Sequence, residues 1–315
     1  MQLNMSNRIA SIARDVMHAS PMALATNFGS TLSGADGGYA VPVQAAEEIL
    51  MPTVGALLPY CRQIPLTSGS SIGMPLDAAT PFSDAGIVCA WEDEGAVLPQ
   101  QKPKLDMTSF SLKKLIALVP VTDQLLEDSD ALAAYLPLAM QTAVTRKVND
   151  AIINGTGAGT ALGILKSGAV ITVAKEGGQA ADSIVDANIA NMLDRAIDPM
   201  SSIWVMNPRC YGHASSFLAG FDGPTRTLAG LPIVTTDSCP ELGEFGDLIL
   251  ADMAWYLAVL KTPQLNSSMH LWFDQDMTAF RLTFRMDGSP AIVAPVTPPN
   301  SPVTRSHFVA LAQRA

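Results

Sequence analysis

Charge is scarce in this chain. Only 15% of its 315 residues are charged while 48% are apolar, against the roughly one quarter charged that is usual for a soluble globular protein. Positive charge is scarcer still: 19 Lys and Arg face 29 Asp and Glu, for a net charge of −10. The densest basic spots are only Lys102 with Lys104 and Lys113 with Lys114. A chain of that balance is not built to hold nucleic acid by its phosphates. Cysteines number four, Cys61, Cys89, Cys210 and Cys239, with no C-x-x-C pair. That excludes a disulfide frame and a zinc ribbon, and reads as reduced thiols of a cytoplasmic protein. No uncharged apolar run reaches the ~18 residues of a membrane span. The start of the chain has Arg8 and Arg14 but no compact apolar block behind them, so no secretory signal is read there. A mean hydropathy of +0.25 without a membrane span implies extensive contacts between subunits.

What is present is organised around Leu115 to Leu165. An apolar run from Leu115 to Thr122 leads to the polar start signal Glu127-Asp128-Ser129-Asp130, whose side chains suit a helix cap. Leu132, Leu136, Met140, Val144, Val148 and Ile152 then recur every fourth residue, with small alanines between them. This predicts one amphipathic helix of about 24 residues, roughly 36 Å long. Pro137 is expected to kink or restart it near Leu136. Asn154-Gly155 ends it, and Gly157, Gly159 and Gly163 carry the chain away.

On either side the signals are shorter. Ile9 to Met17 reads as an amphipathic piece, Tyr39-Ala40-Val41-Pro42 as extended chain, and Ala45 to Leu50 as a short helix. Ser70 to Leu76 and Met107 to Leu112 alternate with period two and predict a long hairpin. The excursion between them carries Glu92-Asp93-Glu94 and Lys102-Pro103-Lys104 and has no core of its own, which is unusual inside a compact domain. Acid and base there can pair across an interface or simply stay solvated. Beyond residue 167, strands are predicted at 169–173, 202–207, 231–235 and 247–252. A helix is predicted at 183–197, with Asn207-Pro208-Arg209 as a turn. Met269 to Phe273, Thr278 to Arg285 and Ala291 to Ala294 read as three more strands, followed by a proline-dense stretch and a tail.

Signals for chemistry are few. Gly69-Ser70-Ser71-Ile72-Gly73 matches a nucleophile elbow in letters, but Met74-Pro75 cannot open the helix such an elbow needs. Gly155-Thr156-Gly157-Ala158-Gly159 closes a helix rather than opening one, unlike a dinucleotide loop. The four histidines are His18, His213, His270 and His307. Cys210 and His213 find no second pair at zinc spacing, and Asp237 with Cys239 lies at an arbitrary one. Asp274, Asp276 and Asp287 read as turn residues. No catalytic residue, cofactor or metal is expected.

Several of these strings also resemble the Hong Kong 97-like major capsid proteins of tailed phages. They are Gly37 to Pro42, Leu126 to Ser129, Asn149 to Gly157, Leu162 to Leu165, Trp204 to Arg209 and Leu228 to Val234, in the family's order. The resemblance implies an α+β capsid fold with a spine helix, a long β-hairpin loop and an α/β axial domain. It implies an N-terminal extension at 1–36, an N-arm at 37–65 and an extended loop at 66–118. A peripheral domain follows at 119–166 and 263–286, with an axial domain at 167–262 and 287–315 whose tail runs past the family pattern. Residues 1–36 leave no room for the family's long scaffolding segment, so scaffolding is expected from another protein or the segment has already been removed. Residues 220–227 are expected to be an axial loop. Tyr39, Val41, Pro42, Glu92, Asp93, Glu94, Lys102 and Lys104 are the expected contacts between subunits. Some relatives weld subunits by an isopeptide bond from a lysine to an asparagine beside a glutamate. Those positions fall on Gly95, Asp276 and Thr283, so a non-covalent shell is expected. The implied partners are the chain itself as pentamers and hexamers, with portal, scaffolding and decoration proteins, around double-stranded DNA held without sequence specificity. The implied place is the virion, assembled in the host cytoplasm. An encapsulin-type compartment is the alternative within the fold, and a cytoplasmic hydrolase the alternative outside it.

Overall fold

The computed structural model describes residues 55–77, 91, 105–128, 130–218, 220–298 and 301–314. The expected arm, the N-terminal helix, the short helix at 45–50 and the middle of the hairpin excursion lie outside these residues. So do all eight expected contact residues.

The predicted helix runs from Asp130 to Asn154 (α2) behind a short helix, Asp123–Asp128 (α1). Helix thus begins earlier than the acidic start signal suggested, directly after the strand Lys113–Thr122 (β4). Thr278 donates to the Asp123 carboxylate at 2.5 Å and ties this corner down. Pro137 neither ends nor restarts α2, which is continuous through it. Leu136 and Met140, on either side, are buried at 7% and 3% exposure, so packing holds the turn that lacks one backbone bond. The fourfold stripe faces the core, with Val148, Ile152 and Ile153 all buried.

Gly155 ends the helix for a steric reason. A Cβ there would stand 2.1 Å from the Ala161 carbonyl oxygen and 2.4 Å from that of Ala151. Its partner in this crossing is Gly163, whose amide donates to the Gly155 carbonyl at 2.8 Å. Two backbone segments therefore touch where neither can carry a side chain.

Two sheets pack on α2 and on each other. Four strands, Arg62–Pro65 (β1), Tyr256–Trp272 (β11), Met277–Pro290 (β12) and β4, form the first in the order β1-β11-β12-β4. The predicted strands at 269–273 and 278–285 are the far parts of β11 and β12. The expected hairpin is present as a separate two-stranded sheet, Ser71–Asp77 (β2) with Leu105–Ser111 (β3), Ser71 opposite Ser111 and Asp77 opposite Leu105.

The second sheet has seven strands. They are Val170–Val173 (β5), Ile203–Met206 (β6), Phe221–Asp222 (β7), Thr227–Leu228 (β8), Leu231–Thr235 (β9), Leu248–Ala251 (β10) and Phe308–Leu311 (β13). Their order is β5-β13-β10-β6-β9-β8-β7. Alternate residues of one strand go to different cores. Ile203, Val205, Ile249, Ala251, Phe308 and Ala310 join α2 and the four-stranded sheet. Trp204, Met206, Leu248, Leu250, Val309 and Leu311 join the helices Asp186–Arg195 (α3) and Pro208–Phe217 (α4). A strand buried on both faces reads as an unbroken apolar run, as these do.

Two expectations are corrected here, the turn at Asn207 and the strand at Ala291. Asn207-Pro208-Arg209 opens α4 rather than closing a turn: the Asn207 side chain accepts from the Arg209 amide at 2.9 Å and Pro208 sits in the first turn. Residues 220–227 form a tight hairpin, in which the turn at 223–226 joins β7 to β8 with Phe221 opposite Leu228. Ala291 to Ala294 is not a strand; the chain leaves the sheet at Pro290. The tail instead supplies β13, parallel to β5 and antiparallel to β10, with all four residues buried.

Candidate assembly surfaces

Among the described residues the hairpin is held at its base. Phe110 is buried against Leu257 and Val259 of β11, with Ile72 and Met74 of β2 packed beside them. Asp287 locks the same corner, and this corrects its reading as a turn residue: it lies within β12 at 5% exposure. Its carboxylate accepts from the Ser111 amide at 2.9 Å, from Lys113 Nζ at 2.6 Å and from the Gly288 amide at 2.9 Å. Farther along, Met107 is 74% exposed and Trp91 wholly so.

The far end of the four-stranded sheet is uncovered as well. Tyr256 to Val259 of β11 are buried, but residues 262–271 are all exposed. Leu265, Met269, Leu271 and Phe273 lie 46–80% exposed there, and Ile116 and Leu118 of β4 about half exposed. Among the described residues this end of the sheet thus leaves large apolar side chains exposed on both of its faces and at the turn beyond β11.

Among the described residues the chemistry-bearing side chains lie apart from one another or serve the packing of the fold. Ser71 begins β2, exposed and opposite Ser111, with no helix behind it. Among the described residues no three His, Cys, Asp or Glu side chains gather as metal ligands. Cys210 does meet Asp247, Sγ to Oδ2 3.7 Å, and Arg314 donates to the same oxygen. Burial first, then the Asp247 charge, pushes the Cys210 thiol up to about 12. Burial pushes Cys61 up to about 12 and raises Cys239 too, so none of the three is a ready thiolate. This cluster is a structural lock on the tail. Arg314 also donates through Nε to the Ser183 carbonyl at 2.6 Å and through Nη1 to that of Ala312 at 2.9 Å. Sequence reading missed it, since Asp247 and Arg314 are 67 residues apart. Asp276 has a left-handed φ of 53° at the turn into β12, and Thr283 lies half-buried on that strand.

A phage capsid family model matches residues 37–300. The chain belongs to the phage capsid family. Solved structures share its fold. The capsid of a native GTA particle aligns with a TM-score of 0.69 at 18% identity, over 93% of this chain and 100% of that one. A chain from Microbacterium phage Oxtober96 aligns at 0.63 with 19% identity, over 90% and 99%. The capsid of Cyanophage P-SCSP1u aligns at 0.55 with 12% identity, over 93% and 99%. No curated protein matches the sequence.

For a capsid protein the two uncovered regions acquire a purpose, since capsid proteins work by building a shell from copies of themselves. The α+β fold, with its long helix, its hairpin and its α/β layer, agrees with the family. Strand β13 and Arg314 lie beyond the matched residues, yet they belong to the buried centre. No helix among the described residues is long and apolar enough to cross a membrane.

Proposed function

We propose that this capsid protein is the shell subunit of a tailed double-stranded DNA phage, with the Hong Kong 97-type arrangement, assembling as pentamers and hexamers of an icosahedral shell. The observation that carries the reading is the end of the four-stranded sheet left uncovered by the described residues, beside a hairpin that these residues anchor at its base. Both regions lack cover from the described part of their own subunit, and neighbouring copies supply it. Many modest contacts then act together through multivalency. In this reading 37–65 is the arm, 66–118 the extended loop, 119–166 with 263–286 the peripheral domain and 167–262 with 287–315 the axial domain. The boundaries at 118, 262 and 286 fall inside β4, β11 and β12, so the parts share continuous strands.

The shell is not welded, because Gly95, Asp276 and Thr283 offer no lysine, asparagine or glutamate for an isopeptide bond. It assembles in the host cytoplasm with portal, scaffolding and decoration proteins. The acidic chain encloses DNA without sequence-specific contact. Negative-stain microscopy and sedimentation of the purified chain test this: shells tens of nanometres across are expected, and a compact monomer at high concentration overturns it. Boiled in SDS, the shells should run as a single subunit band; a ladder of multimers would overturn the unwelded arrangement.

A further inference from the structure

The face of the four-stranded sheet turned away from α2 carries a block of unpartnered cations. Lys261 on β11 stands opposite Arg285 on β12, and Arg285 opposite Lys114 on β4, so three cations lie in one row across three strands. The next row is Gln264, Thr283 and Ile116, past an irregularity of β11 between Lys261 and Gln264, and the row after it Asn266, Arg281 and Leu118. These nine positions hold four cations, three neutral polar side chains and two exposed apolar ones, with no acid among them. None of the four cations makes an ion pair among the described residues. The nearest carboxylate on this face, Asp287, is already taken by Lys113 and the Ser111 amide. Lys261, Thr262, Gln264, Thr283 and Arg285 line a polar recess of about 190 Å³.

Like charges directly opposite one another destabilise a sheet. A row of three, in a chain of net charge −10, is therefore a cost that an anion seated on it would relieve. The block is about 10 Å wide across three strands and about 13 Å long. Its shape and its apolar rim favour a peptide over a nucleic-acid backbone, because phosphates would leave Ile116 and Leu118 in water. The longest run of consecutive acids in the chain is Glu92-Asp93-Glu94. Apolar residues flank it on both sides, Ile87 to Trp91 before and Ala96 to Leu98 after, and Trp91 is fully exposed.

We infer that Lys114, Lys261, Arg281 and Arg285 form the receptor for residues 87–98 of a second copy, with the three acids over the cation row and the flanking apolar residues over Ile116 and Leu118. This rests on the shell reading and assigns its contact to named residues. Two experiments test it. Assembled shells are treated with a zero-length carbodiimide, and the linked peptides are identified by mass spectrometry. Bonds from Lys114 or Lys261 of one chain to Glu92, Asp93 or Glu94 of another are expected. Bonds confined to single chains, or no such bonds, overturn the inference.

In parallel, Lys114→Glu with Lys261→Glu should cut the yield of particles at least tenfold while circular dichroism stays native. Adding Glu92→Lys, Asp93→Lys and Glu94→Lys should restore the yield. If the reversed variant assembles as well as wild type, or loses only DNA retention, the inference is overturned and the shell reading stands. A wild-type chain that forms no shells overturns both.

Discussion

The two sheets of this subunit are built from similar residues and finished differently. In the seven-stranded sheet, β6, β10 and β13 are buried along their whole length, with alternate side chains sent to two cores. In the four-stranded sheet, β11 starts buried at Tyr256 and emerges wholly exposed beyond Lys261. The first sheet is complete within one chain. The described residues cover the second at one end, while its other end presents apolar side chains and cations with no ion-pair partner among them. If neighbouring copies cover the open end, as proposed, subunit stability and assembly should depend largely on different residues.

The sharpest break of that division lies in the closed sheet. Arg314→Ala strands the buried Asp247 carboxylate and should cost about 3–5 kcal/mol, read as a lower urea midpoint of the unassembled subunit. Phe308→Ala, at a fully buried position of β13, should cost about 3–5 kcal/mol in the same assay by leaving a cavity. At the junction between the regions, Asp287→Ala leaves the Ser111 amide and Lys113 without their acceptor. A loss of about 1–3 kcal/mol is expected, with faster hydrogen exchange at Ser111.

Smaller still is a pH effect. The thiols of Cys61 and Cys210 titrate near 12 in the fold against 9.0 for a free thiol. Their neutral forms are favoured when folded, so the stability they contribute is full below pH 9 and lost as the pH rises toward 12. At pH 10 each should cost about 1 kcal/mol relative to pH 7.5, and Cys210→Ala should flatten that slope. Last, Met269→Ser or Leu271→Ser in the open end should change subunit stability by less than about 0.5 kcal/mol. Particle yield should fall all the same. If subunit stability falls as much as in Phe308→Ala, the division between the two sheets is wrong.

Much of this division could be read beforehand. The stripe from Leu132 to Ile152 announced the long helix, and the continuous apolar strings Ile203 to Met206 and Leu248 to Ala251 announced doubly buried strands. The α4 helix was missed although its signal was written out, an asparagine cap followed by a proline in the first turn. Pro137 does not restart the helix, because packing of Leu136 and Met140 on either side carries it through. Strand β13 was passed over as tail: Phe308 to Leu311 is four apolar residues after a proline-dense stretch, too short to separate from a buried loop. The candidate contacts at Glu92 to Glu94 and Lys102 to Lys104 were legible as charge clusters. The receptor face was not, because its members come from three separate segments of chain.

Composition and periodicity alone determined that this chain is apolar for its low charge and that it is organised by one long helix. Those properties depend on residue type and near-neighbour spacing, which the order of amino acids states directly. Only the tertiary structure decided that Arg314 reaches back to Asp247, that Asp287 pins the hairpin, and that Lys114, Arg285 and Lys261 stand in one row. Each of those needs strand register and order, which are set by packing summed over the whole core rather than by any local stretch of chain.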